Sequence, residues 1–178
     1  MERRNQKQQP DPSNSLKRKR EECLDCSDYF MAVAVLTANM SQDPSTQVGA
    51  CIVNQDNKIV GTGHNQMPKG GEDMLPWERT GDDELKTKYL YVSHAELNAF
   101  MNSPDVKDCT IYVTLFPCNE CTKLIIQGGI KKVVYLSDKY KEDKLTIASK
   151  TMLGLAGIPY EQFIPKNTAE IDININPN

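Results

Sequence analysis

The chain has 178 residues and only two histidines. One of them, His94, stands two residues before Glu96 in the stretch HAELNAFMNS. Shortly after comes FPCNEC, which places Cys118 and Cys121 three residues apart. Residues at i and i+3 share one face of a helix, so both sulfurs can reach one ion. A helix N-terminus favours negative charge and therefore favours thiolates. One imidazole and two thiolates suit a tetrahedral Zn²⁺ whose fourth position stays open, as in a catalytic site. Glu96 is near such an ion without needing to bind it. A metal-bound water has its pKa lowered towards ~7, and a neighbouring carboxylate can take a proton from it and deliver that proton elsewhere.

Each residue alone has a plainer reading. A histidine at a helix start is commonly a cap or a core residue. An isolated C-x-x-C is often redox-active or incidental, and a glutamate in a first helical turn is usually a dipole partner. Together the two motifs, each at a helix entrance after strand-like sequence, are far more specific. His64, the second imidazole, has no comparable spacing.

The elements that must hold these groups are legible in part. SDYFMAVAVLTANMS (27–41) has helical apolar spacing, with Ser27 as the expected cap and the DPS at 43–45 as its end. VGACIVN and IVGTGHN read as two strands joined by the turn QDNK, hence a hairpin. Residues 66–93 form a 28-residue segment of little periodicity, and ordered loops of that length are usually functional or flexible. HAELNAFMN opens a helix and CTIYVTLF is a strand. PCNECTKLIIQGG is a helix with Pro117 expected in its first turn and Gly128–Gly129 at its end. A strand KVVYLS, a helix LTIASKTMLGLAG and a strand IPYEQFI follow. The expected class is α/β: a central mixed sheet of about five strands with helices on both faces, in three layers.

Composition sets the remaining bounds. Residues 1–26 are polar and are expected to be a disordered tail; residues 27–166 are the expected folded domain and 167–178 a second tail. The run Leu16 to Arg20 also fits a nuclear-import signal. The start has no apolar h-region and no apolar run approaches a membrane span, so a cytoplasmic protein with no membrane association is expected. In a reducing compartment the six cysteines are not a disulfide framework; Cys23 and Cys26 have metal-like spacing but no second pair nearby. The first 26 residues hold seven Lys/Arg and five Asp/Glu, which leaves the remainder of a chain of net charge -3 at -5. That balance argues against a polymeric nucleic acid as partner, which needs a basic face. A single nucleotide needs only one or two cations.

H-x-E followed by P-C-x-x-C is the signature of the zinc deaminases. With YFMAVA, QVGACIVN, MLPWERT, TKYLYVSHAELNA, YVTLFPCNECTKLIIQGGIKKVVYLSDKY and FIPK, the chain resembles the cytidine and deoxycytidylate deaminase superfamily over roughly residues 29–166. Within it, the stretches LPW, HAELNA and SDKY resemble the dCMP-deaminating branch. The resemblance implies that His94, Cys118 and Cys121 hold zinc. It also implies that Glu96 moves protons to N3 of cytosine and to the departing ammonia, giving dUMP for thymidylate synthesis. Asn65 matches a sugar-contacting asparagine and Tyr140 a pocket-wall residue. The same resemblance implies a homohexamer controlled by dCTP and dTTP.

The chain also departs from that pattern. Where the family usually has G-Y-N-G, a segment tied to triphosphate control, this sequence has Gly63-His64-Asn65-Gln66. A glycine in place of Gln66 would allow φ > 0 and close approach of a phosphate. Where related chains carry Arg-Ser, it has Met40-Ser41. The alternatives are a tRNA adenosine deaminase or a polynucleotide cytosine deaminase, both disfavoured by the acidic balance, and a non-catalytic zinc or nucleotide-binding relative. A free-nucleoside cytidine deaminase normally has Cys at the place of His94.

Overall fold

The computed structural model describes residues 23–165. The expected basic tail with its Leu16–Arg20 run, up to residue 22, and the expected C-terminal tail lie outside the described residues. The elements run α1 (Cys26–Ala38), β1 (Gly49–Val53), β2 (Ile59–His64), α2 (Ala95–Met101), β3 (Thr110–Leu115), α3 (Asn119–Gln127), β4 (Lys132–Ser137), α4 (Lys144–Leu155) and β5 (Tyr160–Gln162).

The five strands form one sheet in the order β2-β1-β3-β4-β5. β1 pairs antiparallel with both β2 and β3, whereas β3–β4 and β4–β5 are parallel. The sheet is therefore mixed, as the hairpin followed by alternating helices and strands implies. Side chains alternate across it with period two. Ala50, Ile52, Ile111, Val113 and Val133 pack with Ala95 and Ala99 of α2, Ile125 of α3 and Leu153 of α4. The intervening Cys51, Val53 and Val134 pack with Phe30, Met31 and Ala34 of α1. Three helices thus cover one face and α1 covers the other. All five residues of β1 are buried, which is why its sequence is continuously small or apolar.

Close approach of the helices depends on glycine. A Cβ at Gly63 in β2 would lie 2.2 Å from the Ala99 nitrogen and 2.4 Å from the Ala95 oxygen, both backbone atoms of α2. The side chain of Asn98 adds a tie, donating from Nδ2 to the His64 carbonyl at 2.7 Å. The start of α2 is held against the end of β2 by these two devices.

Two boundaries differ from expectation. Asp25, not Ser27, caps α1: its carboxylate accepts from the Ser27 N–H at 2.9 Å, so Ser27 falls inside the first turn. α1 therefore begins at Cys26, one residue before the expected cap. Pro117 stands just before α3, because Cys118 takes the N-cap position with extended backbone, and Gly129 ends the helix at φ +75°.

Candidate active site

His94 and Cys118 are the N-cap residues of α2 and α3, and neither side chain caps its own helix. Both are left available to each other. His94 Nδ1 lies 3.4 Å from Cys118 Sγ and 3.4 Å from Cys121 Sγ. The three donor atoms all lie within 4.8 Å of one another, the one such His/Cys/Asp/Glu group among the described residues. Cys26 is exposed on α1 and belongs to no such group.

The donor set fits zinc. Tetrahedral bonds of about 2.3 Å to sulfur and 2.1 Å to nitrogen place those atoms roughly 3.6 Å apart, close to the separations found. The electrostatics agree. The Cys118 thiol is held down to about 4, by the hydrogen bond from Cys121 first and then by His94, against the opposing effect of burial. His94 is pushed up to about 9, chiefly by its hydrogen bond with Cys118. Cys121 is pushed up by its donation to Cys118 and by burial. The site already holds an anion at the α3 N-terminus, and a dication would favour the second thiolate and the neutral imidazole.

Glu96 lies in the first turn of α2 and is 4% exposed. Burial raises its carboxyl above the ordinary range, while His94 opposes the shift and Cys118 adds to it. A buried carboxyl whose proton affinity is raised in this way is suited to proton transfer at the site.

These groups open onto a cavity of about 340 Å³, a size suited to a small molecule. His94, Ala95 and Glu96 form one wall, and Leu115, Phe116 and Cys118 at the end of β3 form another. Tyr140, Asp143, Leu145 and Thr146 come from the β4–α4 connection and the start of α4. Asp43, Thr46 and Val48 come from the segment before β1, and Arg79, Lys88, Tyr89 and Val92 from the long segment after β2. That segment is closed at its base by a two-bond bridge between Gln66 and Ser93, at 3.0 and 2.9 Å. It contains two short 3-10 turns, Glu84–Lys86 and Lys88–Leu90.

Asn65 lines the cavity, but most of its hydrogen-bonding capacity is used internally. Nδ2 donates to Asp43 Oδ2 at 3.1 Å and to the Thr46 carbonyl at 3.0 Å, and Oδ1 accepts from the Val48 N–H at 2.8 Å. One lone pair of Oδ1 remains, which makes Asn65 an acceptor towards any ligand. Asp43 is the hub of this corner. Its Oδ1 accepts from the Ser45 and Thr46 N–H groups, and its Oδ2 accepts from Asn65 and from Lys88 Nζ. Ser41 joins in, donating from its hydroxyl to the Asn65 carbonyl at 2.9 Å, while Met40 is 67% exposed.

Gly63, His64 and Gln66 do not line this cavity. Gly63 is spent on the packing of α2. Gln66 is in the backbone bridge to Ser93, and the only non-glycine residues with positive φ among those described are Asn57 and Asp108. The backbone at 66 therefore does not need the freedom a glycine would bring.

Asp43, Arg79, Lys88 and Tyr89 escape sequence reasoning. Asp43 sits in a DPS that reads as a helix stop, and the other three lie in the aperiodic segment. The signal available there was the unusual length of that segment.

Residues 24–137 match the family described as the cytidine and deoxycytidylate deaminase zinc-binding region. A protein of Mus musculus named deoxycytidylate deaminase is 58% identical over 152 residues, covering 84% of this chain and 85% of that one. The Homo sapiens protein of the same name is 57% identical over the same shares. The structure resembles that of a dCMP deaminase from the cyanophage S-TIM5 in complex with dCMP and dUMP. The TM-score is 0.61 and the identity 27%, over 76% of this chain and 95% of that one.

Proposed function

The chain belongs to the cytidine and deoxycytidylate deaminase family, and from that premise we infer that it hydrolyses dCMP to dUMP and ammonia with zinc as cofactor. The observation that carries the reading is the buried Glu96 beside the His94, Cys118 and Cys121 donor triad, with Glu96, His94 and Cys118 lining one cavity of nucleotide size.

His94, Cys118 and Cys121 would hold the ion. When bound, zinc supplies a Lewis acid that makes water nucleophilic near neutral pH. Glu96 accepts a proton from the attacking water and delivers it to ring N3. The C4–O bond forms first; as the C4–N bond then breaks, Glu96 takes the remaining proton from the oxygen added at C4 and gives it to the leaving amine, which departs as ammonia. Its burial disfavours the charged form and so favours holding the proton between the two transfers. Asn65 offers its Oδ1 to a sugar hydroxyl. Leu115 and Phe116 provide an apolar wall for the base.

The dUMP formed would serve thymidylate synthesis. By family kinship we extend the reading to a homohexamer regulated by dCTP and dTTP, and from composition to a cytoplasmic protein. Support for effector control is weaker at the segment from Gly63 to Gln66, where two of four family positions differ.

The test is a deamination assay with dCMP, dCTP, deoxycytidine and single-stranded DNA, the dCMP arm run with and without dCTP. Release of dUMP and ammonia from dCMP in preference to the others is expected. Stoichiometric zinc without turnover of dCMP would replace this reading by a non-catalytic one. Activation by dCTP decides the regulatory extension separately.

A further inference from the structure

The charged residues around the cavity are unequal in what they have left to offer. Lys88 is paired with Asp43. His94 faces the two sulfurs, and the Asp143 carboxylate caps α4 by accepting from the Leu145 N–H at 2.8 Å. Arg79 is different. It takes no part in the ion pairs found among the described residues. Its hydrogen-bond partner is a phenol: Nε donates to the Tyr89 hydroxyl at 3.1 Å, and Tyr140, which lines the same cavity, also favours the charged guanidinium. Tyr89 comes from the long segment after β2 and Tyr140 from the β4–α4 connection, so phenols from two separate walls share the cavity with Arg79. Lys139 Nζ adds positive charge 5.1 Å above the Tyr140 ring.

We propose that Arg79, flanked by Tyr89 and Tyr140, receives the 5′-phosphate of the substrate and so selects a nucleotide over a nucleoside. A phosphate monoester carries up to two negative charges and needs a cation that no carboxylate has already neutralised. Among the lining residues that description leaves Arg79. Its planar fork keeps further N–H donors after the bond to Tyr89, and two such donors match a phosphate bidentately. A phenol that accepts from the guanidinium through its oxygen keeps its O–H to donate to the ligand. The three side chains are therefore one donor array aimed at an anion, and Arg79 acts on binding rather than on the proton transfers of Glu96.

The proposal rests on dCMP being the substrate, and the experiment separates the two. Zinc-loaded wild type, Arg79→Gln and Tyr89→Phe are compared by kcat/KM on dCMP and on deoxycytidine, with inhibition by dUMP and by deoxyuridine measured alongside. Charge-assisted hydrogen bonds correspond to losses of roughly 10–100-fold. Arg79→Gln should lower kcat/KM on dCMP by that much, mainly through KM, and weaken dUMP similarly. Deoxycytidine turnover and deoxyuridine inhibition should stay within about twofold. Tyr89→Phe should do the same to a smaller degree. Equal losses on nucleotide and nucleoside, or no loss on either in a protein that deaminates dCMP, would overturn the assignment alone. Failure of the wild type to act on dCMP would overturn it together with the proposed function.

Discussion

Lys88 Nζ donates to Asp43 Oδ2 in an ion pair whose side chains keep only 7% and 2% of their surface exposed. The pair joins residues 45 positions apart and pins the long segment after β2 to the one before β1. Such burial is tolerable because Asp43 also accepts from two backbone N–H groups and from Asn65. Removing one partner leaves the other charged and dehydrated, at a typical cost of about 3–5 kcal/mol. Lys88→Met should lower stability by that amount in urea unfolding of the zinc-loaded protein. Adding Asp43→Leu should recover part of the loss. A change below about 1 kcal/mol in the single variant would mean that the pair is not held in solution.

The same pair gives a signed pH dependence. Burial alone would raise the Asp43 carboxyl, but Lys88 and the Ser45 and Thr46 N–H groups bring it below its ordinary 3.8. A depressed folded value means that the unfolded chain takes up the proton first. The contribution is therefore fully present above pH ~4 and is lost as pH falls through the folded value. The stability gap between wild type and Asp43→Asn should be constant at neutral pH and narrow below about 4. Acid release of zinc is common to both proteins and cancels in that difference. A gap that stays constant down to pH 2 would contradict the assignment.

Glu96→Gln should keep the fold and one zinc per chain and lose most turnover. Glutamine is nearly isosteric and fits the same buried place, but it cannot accept a proton from water. General acid–base catalysis contributes typically ~10²–10⁴-fold, and Glu96 serves more than one transfer. Turnover within a few-fold of wild type, at full zinc content, would remove Glu96 from the mechanism.

What the sequence reveals follows from how local its determinants are. His94, Glu96, Cys118 and Cys121 are legible because spacing along a helix start fixes where they point. The five strands are legible from β-branched runs, and β1 from its unbroken apolar content. Asp43 and Lys88 are not, because their meaning depends on a contact across the fold that neither neighbourhood encodes. Asn65 was legible as a site residue by resemblance, yet its three internal bonds appear only when the segment before β1 folds over it. The cap of α1 went to Asp25 over Ser27 because two capping residues stood two positions apart and propensity does not choose between them.

Cys118→Ser and Cys121→Ser should each lose most of the zinc, by metal analysis after exhaustive dialysis. Serine removes the thiolate that the α3 N-terminus and His94 stabilise, and its hydroxyl does not ionise in this range. The Cys121 variant should also lose stability, since Cys121 is 5% exposed and packed within the fold. Full occupancy in both variants would sink the ligand assignment.

Gly63→Ala tests whether the site depends on the approach of α2 to β2. The added methyl would lie 2.2 Å from the Ala99 nitrogen and 2.4 Å from the Ala95 oxygen. Both are backbone atoms, so the conflict cannot be relieved by turning a side chain. Overpacking of this kind typically costs 1–3 kcal/mol, with a backbone shift. The shift must fall on the first turn of α2, which carries Glu96 and follows His94. Gly63→Ala should therefore lose activity beyond its loss of stability: kcat on dCMP should fall at temperatures where the variant is still fully folded. Its zinc affinity should weaken as well, because His94 moves relative to Cys118 and Cys121. Glycine at 63 would then be required for packing. A variant of normal kcat and normal zinc affinity would show that α2 can retreat without disturbing the site.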